Sequence, residues 1–177
     1  MASKTKPPAD PLLQLADNLL NGGRKSVDEI RRAMLDMLSP VSEYERRRAR
    51  EIADMEVELE QHRRMRDAHL VSKTQELAAG LFATGIIQVI PRNEHPEEQA
   101  KARDLFSENL DKQNAALDAM ASYSIDPVAL HAEAYHILAE PLGHHEARIA
   151  SLEKRRRELL EDYETLRVIA PRVRRHA

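Results

Sequence analysis

The sequence predicts an all-α fold, an elongated antiparallel helical bundle or coiled coil with no sheet. Aromatic residues make up only 3 % of the 177 residues, Trp is absent and Gly occurs five times, so the usual packing and turn residues of sheets are scarce. Ala, Leu, Glu, Arg and Met dominate, and these residues favour helices. No proline interrupts residues 41–88, which predicts one very long helix of roughly 70 Å.

The first 39 residues predict a leader followed by a small pair of helices. Residues 1–10 are polar, and we expect them to be disordered. Residues 11–39 predict two short helices separated by Gly22-Gly23. The second of these should begin at the capping box that Ser26 forms with Glu29.

Residues 40–170 predict an antiparallel long-helix bundle. Pro96 should open a helix that runs to about Ser122, and Pro127 should open a shorter helix that ends near residue 140. The last helix, from about residue 143 to residue 170, has apolar residues at both seam positions of a heptad repeat, with Arg156 placed among them. Pro171 should end this helix and leave residues 171–177 as a basic C-terminal tail.

The length of the long helix predicts a homodimer or a higher homo-oligomer. The helix outreaches any single returning helix, so part of its apolar stripe should be covered by another copy of the chain.

The end of the long helix, Leu77–Ile90, carries no charge and includes Gly80 and Gly85, which should loosen a helix. This stretch is too short to span a bilayer, which needs about 20 apolar residues. It favours a buried apex or an oligomer core, with a partner-binding or membrane-touching patch as the alternative. The candidate interface residues are Leu77, Leu81, Phe82, Ile86, Ile87, Ile149, Leu152, Leu159, Tyr163 and Leu166.

Charge is distributed unevenly along the chain, although the net charge is only −3. Residues 93–140 contain ten acidic residues against three Lys or Arg, a net charge of −7. From residue 144 onward nine Lys or Arg face six acidic residues, a net charge of +3. The two segments could pair across an interface between copies of the chain.

The densest group of metal-ligand side chains lies between Leu130 and Arg148, which hold four of the eight histidines. At 100° per residue, Glu133, His136 and Glu140 share one polar helix face, whereas His131 points elsewhere. Glu133 and His136 match the Glu-x-x-His step of ferritin-like di-iron bundles, but the chain has no second such step.

These three residues are therefore weak metal candidates, and a solvated stripe of Glu and His is favoured. We expect His131 to be packed at an interface, and His144 and His145 to lie in a turn after Pro141. Neither a metal nor another cofactor is expected.

Other catalytic signatures are missing, which argues against an enzyme. The chain has no Cys, so a cysteine nucleophile, a thiolate metal site and a disulfide scaffold are excluded. Gly22-Gly23 lacks the spacing of a P-loop, and neither a nucleophile elbow nor a zinc-protease signature occurs. The N-terminal residues MASKTKPPAD lack the apolar run of a secretory signal, so a cytoplasmic location is expected.

Arginine outnumbers lysine 20 to 7 and occurs in clusters. The clusters in the predicted helices alternate with glutamates, which favours ion pairs between residues four apart along a helix. The C-terminal cluster has no acidic side chain after Glu164 and suits contact with nucleic acid that is not sequence-specific. The candidate phosphate contacts are Arg46, Arg47, Arg50, Arg63, Arg64, Arg66, Arg172, Arg174 and Arg175.

Three functional hypotheses follow. The leading one is a non-enzymatic, oligomeric helical scaffold or adaptor that acts through protein–protein interaction. The alternative is a nucleic-acid-associated helical oligomer that binds phosphates through its arginine clusters and basic C-terminal arm. A helical-bundle metalloprotein is the third and least favoured.

Overall fold

The computed structural model describes residues 26–91 and 94–174, and it describes side chains up to Val168. This part of the chain contains six helices and no strand: α1 Val27–Leu38, α2 Glu43–Thr84, α3 Pro96–Asp104, α4 Leu110–Ala121, α5 Pro127–Ile137 and α6 Ala139–Arg174. The all-α prediction is confirmed. The leader and the first helix predicted within residues 1–25 lie outside the described residues. No described helix combines the length and the apolar character needed to cross a membrane.

Both of the first two helices begin at capping boxes. Ser26 Oγ accepts a hydrogen bond from Glu29 N at 3.2 Å, and Glu29 Oε2 accepts one from Ser26 N at 2.6 Å, as predicted. At the start of α2, Ser42 Oγ accepts from Glu45 N at 3.1 Å, and Glu45 Oε2 accepts from Ser42 N at 3.1 Å. Since each box satisfies N–H groups that a helix start leaves unpaired, these residues fix where α1 and α2 begin.

The predicted long helix is confirmed, although it ends at Thr84 rather than near residue 88. Gly85 ends it with a positive φ of 76°, and its N–H donates to Leu81 O at 2.8 Å. Beyond this point the chain folds back, and the backbone of Gln88 lies directly against Gly80. Gly80 therefore does not loosen the helix as expected. It leaves room for the returning chain.

A single helix from Pro96 to about Ser122 is wrong, because the chain is interrupted between α3 and α4. Asn109 begins a new helix instead of continuing α3. Its Oδ1 accepts hydrogen bonds from Asp111 N at 3.0 Å and from Lys112 N at 3.2 Å, which caps α4. The buried amide of Gln113 donates to Leu105 O at 3.1 Å and ties the turn to α4.

The last helix begins earlier and extends further than predicted. His144 and His145 lie within α6 rather than in a turn after Pro141. Pro141 is the third residue of α6, where its missing N–H costs no bond within the helix. The helix continues past Pro171 to Arg174, so the expectation that Pro171 ends it is wrong.

The chain divides into two compact units, and the bundle predicted over residues 40–170 contributes to both. One unit contains residues 67–139: the last part of α2 together with α3, α4 and α5. Its core combines apolar residues of all four helices, among them Leu77, Leu81, Phe82, Ala102, Met120 and Leu130.

The other unit contains residues 26–66 and 140–174: α1, the first part of α2, and α6. Leu38 and Ile52 pack with Leu159 and Tyr163, while Leu59 packs with Ile149 and Leu152. Residues further along α2 thus pack against residues nearer the start of α6, so the two helices are antiparallel in this unit. The heptad seam predicted for the last helix is the side that packs here.

Candidate interaction surfaces

Three arginines form ion pairs between α2 and α6. Arg63 Nη2 lies 2.7 Å from Glu153 Oε1, and Arg156 Nη1 lies 2.7 Å from Glu56 Oε2. Arg148 Nε donates to Glu58 Oε1 at 3.0 Å. Each pair joins one helix to the other, so these charges help to fix how α2 and α6 align.

Several candidate phosphate contacts are bound to carboxylates of their own helix. Arg46 pairs with Glu43 at 3.0 Å, Arg47 with Glu51 at 3.6 Å and Arg64 with Glu60 at 2.8 Å. Arg63 bonds to α6, as described, and Arg66 is not free of contacts either. The predicted pairing of residues four apart is therefore confirmed for Arg47 and Arg64, whereas Arg46 pairs with a glutamate three residues away. The side chains of Arg172, Arg174 and Arg175 lie outside the described ones.

Six exposed cations of the unit formed by residues 26–66 and 140–174 form no ion pair with the described residues, and two of them are Arg32 on α1 and Arg167 on α6. Arg50 is exposed on α2, and Lys154, Arg155 and Arg157 are exposed on α6. Their charges are available to an anionic partner, in contrast to those of Arg63 and Arg156.

Seven of the ten candidate interface residues are buried by the chain itself: Leu77, Leu81, Phe82, Ile149, Leu152, Leu159 and Tyr163. No single returning helix covers α2, as expected, but different helices of the same chain cover its two parts. Residues 43–66 pack with α6, and residues 67–84 pack with α3, α4 and α5. Ile87 and Leu166 are partly buried, and Ile86 is exposed.

An exposed apolar patch lies at the end of α2. We call Ile86, Val89 and Tyr123 the α2-end patch. Ile86 is 63 % exposed and Val89 is 53 % exposed, although both belong to the uncharged stretch that the sequence singles out. Tyr123 stands beside this segment: its hydroxyl donates to Phe82 O at 3.2 Å, and its ring approaches Gly85. Further apolar side chains are exposed on α5, namely Val128, Tyr135 and Ile137.

The metal candidates are not brought together. Glu133 and His136 are exposed on α5 in one unit, and Glu140 is exposed on α6 in the other. Within the described residues, no group of three or more His, Cys, Asp or Glu is arranged to hold a metal ion.

His131, which was expected at an interface, packs against α2 of its own chain. Its Nδ1 lies 3.3 Å from Thr74 Oγ1. The Thr74 hydroxyl donates to Leu70 O at 2.8 Å, so its oxygen can accept from an Nδ1–H of His131. Burial lowers the pKa of His131, and the nearby Asp67 carboxylate opposes this effect.

A second histidine contact was missed entirely from the sequence. Nδ1 of His62 on α2 and Nδ1 of His145 on α6 lie 3.1 Å apart. The sequence offered one signal, two histidines on helices predicted to be antiparallel, but it could not supply their register.

A cleft of about 240 Å³ lies in the unit formed by residues 67–139. It is lined by Ser72, Gln75, Glu76, Ala79, Ile90, Gln99 and Arg103. The Glu76 carboxylate is paired with Lys73 at 2.5 Å, so the walls are polar without a strong net charge.

Comparisons of the chain with protein-family models, with curated proteins and with solved structures found no match.

Proposed function

We propose that the protein is a non-enzymatic helical scaffold or adaptor that acts by protein–protein association. The observation that supports this is the exposure of the α2-end patch in a stretch without charge. Fully burying an aliphatic side chain of this size contributes about 1.5–3 kcal/mol, so covering Ile86 and Val89 would favour association. Tyr123 adds an aromatic ring, a side chain enriched in protein interfaces.

We propose a second copy of the chain as the partner. Since the heptad seam of α6 is filled within the chain, self-association would use the exposed residues and not the seam. Of the candidate interface residues, Ile86 has the exposure that such a contact requires.

The test measures molar mass by size-exclusion chromatography with light scattering. We expect the wild type to exceed the mass of one chain, and the double variant Ile86→Asp with Val89→Asp to run as a single chain. Val168→Asp is the matched control, because Val168 is equally exposed but lies on α6. Circular dichroism and thermal melting establish that all three proteins are folded.

A wild type that stays at the mass of one chain at every concentration would reject self-association. An oligomer that survives in the double variant but is lost in Val168→Asp would reject the α2-end patch as the contact surface.

A second proposal is that the same scaffold associates with nucleic acid. Four of the exposed cations without described ion pairs support it, namely Arg50, Lys154, Arg155 and Arg157. Each phosphate neutralised by such a side chain steepens the fall of affinity with salt.

The test measures binding to a DNA duplex of unrelated sequence at about 0.05 M and about 0.2 M salt. Replacing the four cations by Gln should lower the salt slope by about three to four, since each phosphate contact contributes about 0.9. Arg46→Gln is the control, because Arg46 is already paired with Glu43. A version that ends at residue 170 measures the contribution of the C-terminal residues. Lack of binding by the wild type at the lower salt would eliminate this proposal.

A further inference from the structure

The polar cleft in the unit formed by residues 67–139 has two helical walls. One wall is a face of α2 on which residues recur every three or four positions: Ser72, Gln75, Glu76 and Ala79. The other wall contains Gln99 and Arg103, which lie four residues apart on α3. Ile90, from the segment that follows α2, completes the described lining.

The walls are held in place by contacts within the chain. The side-chain amide of Gln99 donates to Pro91 O at 3.2 Å and to Glu94 O at 2.9 Å, so α3 is tied to the turn that precedes it. Ile90 packs against the apolar core of the same unit. The cleft is therefore formed before a ligand arrives, which lowers the entropy cost of binding.

The charge of the cleft is that of one guanidinium. Glu76 is the acidic residue of the described lining, and its carboxylate lies 2.5 Å from the ammonium of Lys73. Both of these side chains are about four-fifths buried, so each charge has its counter-ion in place. Arg103 is exposed and forms no ion pair with the described residues. Its guanidinium is left to attract an anion.

The arrangement suits a small carboxylate. A guanidinium binds a carboxylate through two parallel hydrogen bonds. A doubly charged phosphate would be better matched by more than one cation, and Lys73 is already paired. The volume of about 240 Å³ lies below the range of about 300–1,000 Å³ typical of sites for drug-sized ligands.

The remaining lining residues indicate what the carboxylate carries. Ala79 and Ile90 offer apolar surface to a short carbon chain. The Ser72 hydroxyl and the Gln75 amide can each donate and accept a hydrogen bond, which matches a hydroxyl group on that chain.

We propose that this cleft binds a small hydroxy acid, whose carboxylate is held by Arg103 and whose hydroxyl bonds to Ser72 or Gln75. This ligand site goes beyond the proposed association, and none of its lining residues belongs to the α2-end patch. Because the ligand would contact both walls, it would stabilise the packing of α3 on α2.

Nitrogen-15 NMR of the full chain, titrated with lactate, tests the site. We expect saturable shifts of the side-chain N–H signals of Arg103 and Gln75 and of the backbone amide of Ile90, at lactate concentrations up to about 20 mM. Lactamide, the uncharged counterpart, should bind at least about tenfold more weakly, because it forms no ion pair with the guanidinium.

Three outcomes of the titration would overturn the proposal. They are the absence of saturable shifts at these residues, equal binding of lactate and lactamide, and tighter binding of inorganic phosphate than of lactate.

Variants separate the charge of the cleft from its shape. Arg103→Gln should lower the association constant for lactate by about tenfold or more, since hydrogen bonds to a charged group are lost. Lys101→Gln is the matched control, because Lys101 is an exposed cation of α3 outside the described lining.

Ser72→Leu keeps every charge but places a larger side chain in the cleft, at a position that is exposed. It should also weaken lactate binding by about tenfold or more, because the space for the ligand is filled. Circular dichroism establishes that the variants are folded. Equal weakening by Arg103→Gln and Lys101→Gln, or wild-type binding by Ser72→Leu, would reject the cleft as the site.

Discussion

At the scale of single residues, the two described helical glycines at positions 80 and 143 have opposite surroundings. A Cβ at position 80 would lie 1.8 Å from Gln88 O, which is backbone and cannot rotate away, whereas a Cβ at position 143 would meet nothing within 4 Å. We expect Gly80→Ala to lower the free energy of unfolding by about 1–3 kcal/mol, because the returning chain must shift. Gly143→Ala should raise it by about 0.5–1 kcal/mol, since α6 gains helix propensity.

Urea unfolding followed by circular dichroism measures both effects. Equal effects of the two substitutions would mean that the backbone of Gln88 does not pack against Gly80.

His131 gives a prediction about pH. Its pKa is lowered in the fold by burial, against the attraction of Asp67, so the folded state favours the neutral ring. The stability that depends on the neutral ring is present in full above about pH 6.5 and is lost as the pH falls from there through the lower folded pKa. We expect His131→Gln to lose less stability than the wild type between about pH 7 and about pH 5.

The control for His131 is His136→Gln, an exposed position on the same helix, which should keep the wild-type dependence on pH. The prediction fails if His131→Gln and the wild type lose the same stability on acidification.

At the scale of helices, Glu56 and Arg156 provide a contact that selects the alignment of α2 and α6. Their side chains are 21 % and 29 % exposed, and Arg156 Nε is buried without a hydrogen-bond partner among the described residues. Since each charge is partly desolvated, removing one partner should cost more than removing both. A double-mutant cycle with Glu56→Gln and Arg156→Met should give a coupling of about 1 kcal/mol, measured by urea unfolding.

The pair of Glu43 and Arg46 is the comparison, because both side chains are largely exposed and water screens them. Its coupling should lie close to zero. A larger coupling for this exposed pair than for Glu56 and Arg156 would contradict the argument.

The starts of helices were predictable where a local sequence signal decides them. Ser26 and Glu29 predict the start of α1, because a capping box is complete within four residues. Asn109 was overlooked because the apolar periodicity around it continues into α4, and a cap interrupts a helix without disturbing that pattern. Pro141 and Pro171 were both taken as ends of helices, but a proline is also compatible with a first turn, and tertiary packing can override propensity.

At the scale of the whole molecule, seven of the ten apolar residues that the sequence singled out are buried, but the sequence did not predict which residues cover them. Leu77, Leu81 and Tyr163 were recognised as residues needing cover, and each is buried. Which helices pack over these residues depends on contacts between residues far apart in the chain. The periodicity of apolar residues carries no information about such contacts. The contact of His62 with His145 was inaccessible for the same reason, since it joins positions 83 residues apart.

Each of the two units contains a tyrosine hydroxyl that donates to a backbone carbonyl near the end of a helix. Tyr163 is 2 % exposed and donates to Leu38 O at 3.0 Å, whereas Tyr123 is 38 % exposed and donates to Phe82 O at 3.2 Å. Burial also raises the pKa of Tyr163, so its hydroxyl stays protonated as a donor. Tyr163→Phe should cost about 1–2 kcal/mol, because it leaves a buried carbonyl unpaired, and Tyr123→Phe should cost less than about 1 kcal/mol, because water can replace the bond.

Amide hydrogen exchange of the full chain locates these losses. Since the two units have separate apolar cores, Tyr163→Phe should accelerate exchange in α1 and in residues 140–168 of α6 and leave α4 unchanged. Tyr123→Phe should do the reverse, with faster exchange in α4 and α5. Acceleration of all helices to the same extent by either variant would mean that the chain opens as one cooperative unit, so that the loss of a local contact is shared by both cores.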